Sequence, residues 1–264
     1  EGHATLVMLV MQAEETMGQR IDPGTLPDLS GLLGPATEAQ NAQYPVFARA
    51  PRLIRETMLF PYVAGAGFVQ ELHRATVAAR PVVPFGDDLP HSTEQVMNPR
   101  GRFLGERDAP TEIRLEPVAA GWSVVHENTL GQLEVSILLA EHLGTNAASA
   151  AEGWDGDRYV LIEGPDGREA LVWYSVWDDA GAADRFAGAY VRMLEARPGR
   201  AGGAEVLRIG GRFVVRVVET ARFQNDRKGV SGEAPGGENV EGEETMAHDA
   251  LTQFGQIGSA RNTR

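Results

Sequence analysis

Two pairs of strand-like segments joined by tight turns constrain the fold most. Residues 158–163 (RYVLIE) and 169–177 (EALVWYSVW) are rich in β-branched and aromatic side chains and flank a GPDG turn at 164–167. Residues 205–209 (EVLRI) and 212–219 (RFVVRVVE) flank Gly210-Gly211, a pair suited to the primed turns that match strand twist. Between the two pairs the period becomes helical over 182–196, with Phe186, Tyr190 and Met193 on one side. The order ββαββ predicts an antiparallel sheet covered by at least one helix.

The amino-terminal half reads differently. Residues 4–11 (ATLVMLVM) are apolar almost without interruption, a pattern that places a helix in a protein interior. Gly18 and Pro23 end it, and 19–43 reads as a loop. Helices are expected over 44–58 and 61–79. The second has Tyr62, Phe68, Val69 and Leu72 as its core stripe, and Gly65 and Gly67 let another backbone come close. Segment 81–110 reads as irregular, except for a short helix starting at Ser92. There Ser92 and Gln95 fit a capping box, and Pro99 is the stop. A strand or two is expected around 112–126. An amphipathic helix follows over 129–143, with Leu130, Leu133, Ile137 and Ala140 on one face and Thr129 with Gln132 as a second capping box. Residues 145–152 add a helical turn. From about residue 221 the chain is polar and rich in Gly and Glu, and disorder is expected. The predicted fold class is α+β. It comprises a helical region with long loops over 1–128, a helix plus ββαββ region over 129–219, and a disordered acidic tail over 220–264.

Composition removes several function classes. A hydrophobic content of 42% suffices for a core in a chain of 264 residues. A net charge of −13 with no basic stripe predicts a soluble chain that repels nucleic acid and anionic membrane surfaces. The chain has no cysteine, which excludes disulfides, thiol catalysis and thiolate metal sites. No apolar run approaches the roughly 18 residues of a membrane span. The serine-hydrolase elbow G-x-S-x-G and the P-loop do not occur, and Gly65-x-Gly67 lacks the third glycine of a dinucleotide fold. The six histidines include no i, i+4 pair, and H-E-x-x-H occurs nowhere.

The remaining candidates each have a simpler reading. His91 and Glu94 flank a helix start and would form a cleft wall; capping and turn chemistry is the favoured reading. His126 and Glu127 would form a catalytic pair, against ordinary surface residues. Trp154, Trp173, Tyr174 and Trp177 would line a peptide groove, against a core. Asp155, Asp157 and Asp166 evoke a Ca²⁺ loop, but the spacing fits no EF-hand. Glu1, taken alone, is a solvated charge.

A set of short motifs changes that last reading. The stretch Glu1-Gly2-His3-Ala4-Thr5 resembles the Glu-Gly-x-Ala helix of a family of bacterial, mostly exported zinc-metallopeptidase-like proteins. Phe60-Pro61-Tyr62 with Gly65 and Phe68 is similar to that family's F-P-Y-x-x-G-x-x-F segment. Residues 92–99 (STEQVMNP) resemble its S-T-E-Q-[IV]-L-H-P segment. Leu130-Gly131 and the GWDGDR stretch at 153–158 resemble its L-G-E helix start and G-W-x-G-D-R strand entry. The resemblance runs from Glu1 to about Val218. It departs at Asn98, where the family has His, at Gln132, where it has Glu, and at His3, where an acidic residue is common.

The resemblance implies a zinc site with two histidines from an upstream H-E-x-x-H helix and Glu1 as third protein ligand. A bound water would take the fourth position, with the motif's glutamate as its base. Gly2 and Ala4 would be small so that the histidine helix can lie close. His91, Glu94 and Asn98 would be cleft residues, Asn98 without the role of the family's His. Because the 264 residues lack the two histidines and the base, the expectation is a fragment of such a protein, without activity or tight zinc binding on its own. The start of the chain then reads as a cut end, with the apolar helix exposed and able to recruit a partner. The complete protein would be exported and act on a peptide or protein. The alternative is a non-catalytic interaction module, or a decayed gene product, of the same fold.

Overall fold

A computed structural model describes residues 1–27, 29, 43–75, 85–86, 89–115 and 121–221. The expected tail, from 222 onward, lies outside the described residues, as do most of the loop at 28–42 and the helix end at 76–79. The architecture is α+β, with helices in the amino-terminal half and an antiparallel sheet with a helix in the carboxy-terminal half. The chain divides into two compact units, 1–110 with 131–141, and 111–130 with 142–264. The expected boundary at 128/129 falls inside the second unit.

In the first unit, helix α1 spans Gly2–Met17 and stops at Gly18, whose φ of 67° gives a left-handed cap. A 3₁₀ turn at Pro23–Thr25 follows. A short helix α2, Pro45–Ala48, precedes a long helix α3, Arg52–Ala75. The two helices expected over 44–58 and 61–79 are therefore divided differently, because Pro61 sits inside α3 without ending it. Proline costs an interior helix about 3 kcal/mol. Here its ring is on an exposed side, and packing further along α3 offsets that cost. Two short helices follow, α4 (Thr93–Met97) and α5 (Pro99–Arg102), the second using Pro99 as its first residue.

The core of this unit gathers Leu6, Ala66, Phe68, Val69, Leu72 and Phe103. Gly2 meets Gly65 where α1 and α3 cross. A Cβ on Gly2 would stand 2.1 Å from the Gly65 carbonyl carbon, so only glycine permits this approach. All the core residues of the two helices lie beyond the crossing, so α1 runs alongside the second half of α3. The first half of α3 lies before the crossing, and there Leu53, Ile54, Met58 and Tyr62 are exposed. The interior helix expected at 4–11 is only half realised. Leu6 is buried, but Val7, Met8 and Met11 face solvent.

The second unit carries strand β1 (Ser123–Asn128), β2 (Trp154–Glu163), β3 (Glu169–Trp177), β4 (Arg200–Ile209) and β5 (Arg212–Ala221). Their order is β1-β2-β3-β5-β4, and every pairing is antiparallel. In chain order β2 is preceded by helix α6 (Gln132–Leu143), which belongs to the first unit up to residue 141, and by a 3₁₀ stretch (Thr145–Ala151). Helix α7 (Ala180–Ala196) connects β3 to β4, and the Asp179 side chain caps it by accepting from the Ala182 N–H. α7 presses Phe186 and Tyr190 onto Trp173 and Trp177, with Phe186 stacked 4.6 Å from Trp177. The other face buries Val160, Ile162, Val172, Tyr174 and Val176 with Ile113. Strand β3 is therefore covered on both sides, which explains why EALVWYSVW shows no polar alternation.

Candidate functional site

Glu1 is the N-cap position of α1. Its carbonyl accepts the Thr5 N–H at 2.9 Å and the Thr5 hydroxyl at 3.1 Å, while its carboxylate makes no capping hydrogen bond. The next residue is locked against α3, so the Glu1 backbone is fixed by the Gly2–Gly65 crossing. The small size of Gly2 serves this contact inside the unit. Ala4 is exposed, on the same outer face as Val7, Met8 and Met11. His3 meets Phe85 edge to face, with ring centroids 5.5 Å apart.

The STEQVMNP segment is a hub of caps and ties. Ser92 Oγ accepts the Gln95 N–H at 3.2 Å, as the capping box predicts. The return bond is displaced by one residue, since Gln95 Oε1 accepts from the His91 N–H at 2.6 Å. Gln95 Nε2 then donates to the Asp108 carbonyl at 2.7 Å. Glu94 turns inward, 3% exposed, and pairs with Arg102 at 3.3 Å. Arg102 also pairs with the Asp108 carboxylate. Asn98 Oδ1 accepts the Gly101 N–H at 3.1 Å and so caps α5. Of the three expected cleft residues, His91 and Asn98 are at the surface at either end of α4 and Glu94 is interior.

Thr93 is the residue that the sequence reading missed. Its Oγ1 accepts the Leu133 N–H at 3.2 Å, so a side chain 40 positions away caps α6. The expected Thr129–Gln132 box does not form. Gly131 turns the chain with φ 98°, and the Thr129 hydroxyl donates instead to the Asp157 carbonyl at 3.3 Å. No local signal in the sequence distinguishes Thr93 from an ordinary first-turn threonine.

Two further groups near this helix start were also not foreseen. Glu134 Oε2 and Gln132 Oε1 are buried without a hydrogen-bond partner. Burial pushes the Glu134 carboxyl above its ordinary range, opposed by a bond from its own backbone N–H. On α3, Glu71 binds Arg100 and Arg74, and the Arg100 bond holds its carboxyl below the usual range. Arg74 also donates to the Gly24 and Leu26 carbonyls at 2.9 Å, which ties the 3₁₀ turn to α3.

The other sequence candidates have structural roles in the second unit. Trp154, Trp173, Tyr174 and Trp177 are each at most 2% exposed and form core. His126 and Glu127 stand on edge strand β1, where Glu127 pairs with Arg158 at 2.7 Å. Asp155 accepts from the Thr111 hydroxyl at 2.7 Å and pairs with Arg212 at 3.1 Å. Asp157 accepts the Leu130 N–H at 2.9 Å, and Asp166 pairs with Arg168 inside the hairpin turn. Among the described residues no three or more of His, Cys, Asp and Glu are grouped to hold a metal ion. Also among these residues, no helix is long and apolar enough to cross a membrane.

Residues 116–231 match the model of a family described as a domain of unknown function (DUF8575), a span holding α6, α7 and the five strands of the described residues. No curated protein and no solved structure matches the chain.

Proposed function

We propose that this chain is the third-ligand and cleft portion of a zinc-metallopeptidase-like protein, inactive by itself. The observation that carries the reading is the setting of Glu1. Its backbone is fixed by a glycine crossing, its carboxylate is unused as a cap, and the helix behind it offers an uncovered apolar face. A second helix laid on that face would come close to Glu1, with Ala4 the smallest side chain in its way. The motif order from Glu1 to about Val218 supports the same reading.

Among the described residues no group of His, Cys, Asp and Glu that could hold a metal ion includes Glu1. One carboxylate holds zinc weakly, and structural or catalytic sites use three or four protein ligands. In this reading the two histidines, and the base, come from polypeptide outside the 264 residues. This chain contributes Glu1 and the wall around α4. The complete protein would be exported and would cleave a peptide or protein.

The test begins with the gene. An in-frame H-E-x-x-H within several tens of codons before Glu1 is expected. The longer polypeptide should then bind about one zinc per chain by elemental analysis, and Glu1→Ala should abolish most of it. Zinc content unchanged by Glu1→Ala would sink the assignment of Glu1. The 264-residue chain alone should copurify with no stoichiometric zinc.

A second reading has its own support. The family match covers 116–231 and begins after the amino-terminal helices, so it does not include the Glu1 segment on which the first reading rests. In that reading the chain is a non-catalytic interaction module, or a decayed gene product, of the same fold. A stop codon or unrelated sequence before Glu1 would favour it.

A further inference from the structure

Among the described residues of the first unit, two apolar surfaces face solvent. One is the outer stripe of α1, made by Ala4, Val7, Met8 and Met11 at helical spacing. The other is the first half of α3, where Leu53, Ile54, Met58 and Tyr62 form a ridge. Seven large apolar side chains on the two surfaces are each 41–63% exposed, and a standard interface takes about 800 Å² from each partner.

The charges around the two surfaces are opposite. From Gly2 to Ala13 the helix holds no Asp, Glu, Lys or Arg, and Glu14 and Glu15 follow. Glu14 is engaged by the Ile21 N–H and Arg20. Glu15 is exposed on the same side as Met8 and Met11. The α3 ridge begins instead among Arg49, Arg52 and Arg55, with Arg52 paired to Glu56 one turn on. Arg55 Nη1 donates to the Ala48 carbonyl at 3.4 Å, and its Nε is buried with no hydrogen-bond partner among the described residues. For a chain of net charge −13, self-association needs a face where like charge is offset, and here Glu15 of one copy can meet the arginine-bearing end of the other.

We propose that the 264-residue chain forms a two-fold dimer in which α1 of each copy lies antiparallel on the first half of α3 of the other. In that direction Glu15 reaches the Arg52 and Arg55 end of the partner helix, Met11 comes opposite Met58, and Met8 opposite Tyr62. The contact is reciprocal and closes on itself, so it stops at two copies. This inference does not rest on the peptidase reading. In a longer polypeptide, a helix from the amino-terminal side would compete for the α1 stripe.

Sedimentation velocity between about 1 and 100 µM tests it, and a dimer is the expected species at the upper end. Met11→Glu and Met58→Glu should each weaken dimerisation tenfold or more; both sites are exposed, and circular dichroism checks that the helices persist. Glu15→Arg should weaken it, and Glu15→Arg with Arg52→Glu should restore it. Because the chain has no cysteine, a trap is also available. Met11→Cys mixed with Met58→Cys should give a disulfide-linked heterodimer, while either variant alone gives little. A monomer at 100 µM would overturn the proposal. So would open-ended oligomers, association untouched by both glutamate variants, or equal trapping of each cysteine variant with itself.

Discussion

Helices α1 and α7 are nearly the same length, 16 and 17 residues, and they spend their apolar residues in opposite ways. α1 is the more apolar by sequence, yet only Gly2 and Leu6 are buried. α7 carries Asp184, Arg185, Arg192 and Glu195, yet buries eight residues, including Phe186, Tyr190 and Met193. Burial free energy follows from the partner surface and not from apolarity alone. α7 lies on a sheet whose facing side chains are Trp173 and Trp177. α1 meets a partner along one side and presents the other to solvent.

The sharpest way to break this comparison is to truncate one residue from each helix. Phe186 is fully buried among three rings, so Phe186→Ala should cost about 3–5 kcal/mol. Met11 is 63% exposed, and Met11→Ala should stay within about 0.5 kcal/mol at submicromolar concentration. All four tryptophans are in the second unit, so urea denaturation followed by tryptophan fluorescence reads Phe186→Ala. Helical circular dichroism reads Met11→Ala. Equal costs would mean that α1 is covered in solution even at that dilution.

The next test concerns the one tight contact that α1 makes. Gly2→Ala forces a methyl group into the Gly65 backbone, and overpacking of this kind costs about 1–3 kcal/mol. Gly67 has nothing within 4 Å of its Cβ position, so Gly67→Ala should stabilise α3 by up to about 1 kcal/mol. Opposite signs at Gly2, which faces Gly65 in the crossing, and at Gly67, which faces open space, would separate packing from propensity. Thermal melts followed at 222 nm measure both, and a neutral Gly2→Ala would remove the crossing from the account.

These contrasts also explain what was legible in the sequence. The hairpins were, because turn chemistry and β-branched runs are local: Gly210-Gly211 and GPDG sit between the strands they join. The Ser92 cap was, because Gln95 lies three residues away. Pro61 misled, because its cost is local while the packing of Phe68, Val69 and Leu72 that offsets it is tertiary. The α6 cap was hidden for the same reason, since its hydroxyl comes from Thr93 and not from Thr129. At the candidate site, the residue types of STEQ were visible but their direction was not, and Glu94 points into the unit where it meets Arg102. Thr93→Val keeps the shape and removes the cap, and should cost about 1 kcal/mol. Loss of amide-exchange protection in the first turn of α6 would locate that effect.

The smallest expected effect lies three residues beyond Gly131, at Glu134. Burial raises its carboxyl above the ordinary range, and its Oε2 has no partner. The sign follows from linkage: a folded-state value above the unfolded one means that stability is full below the ordinary glutamate range and is lost as pH rises through the raised value. Glu134→Gln removes the titration. The variant and the parent should therefore be equally stable below about pH 4, with the variant gaining as pH rises toward neutrality. Solvent screening of a half-buried group keeps the gain under about 1 kcal/mol. The helix N-terminus works against this gain, because it favours a negative charge in the first turn by a comparable amount. Denaturation midpoints at acid and neutral pH decide between the two. A variant that loses stability at neutral pH would show that the α6 terminus outweighs desolvation, and that the Glu134 carboxylate is held there as a charge.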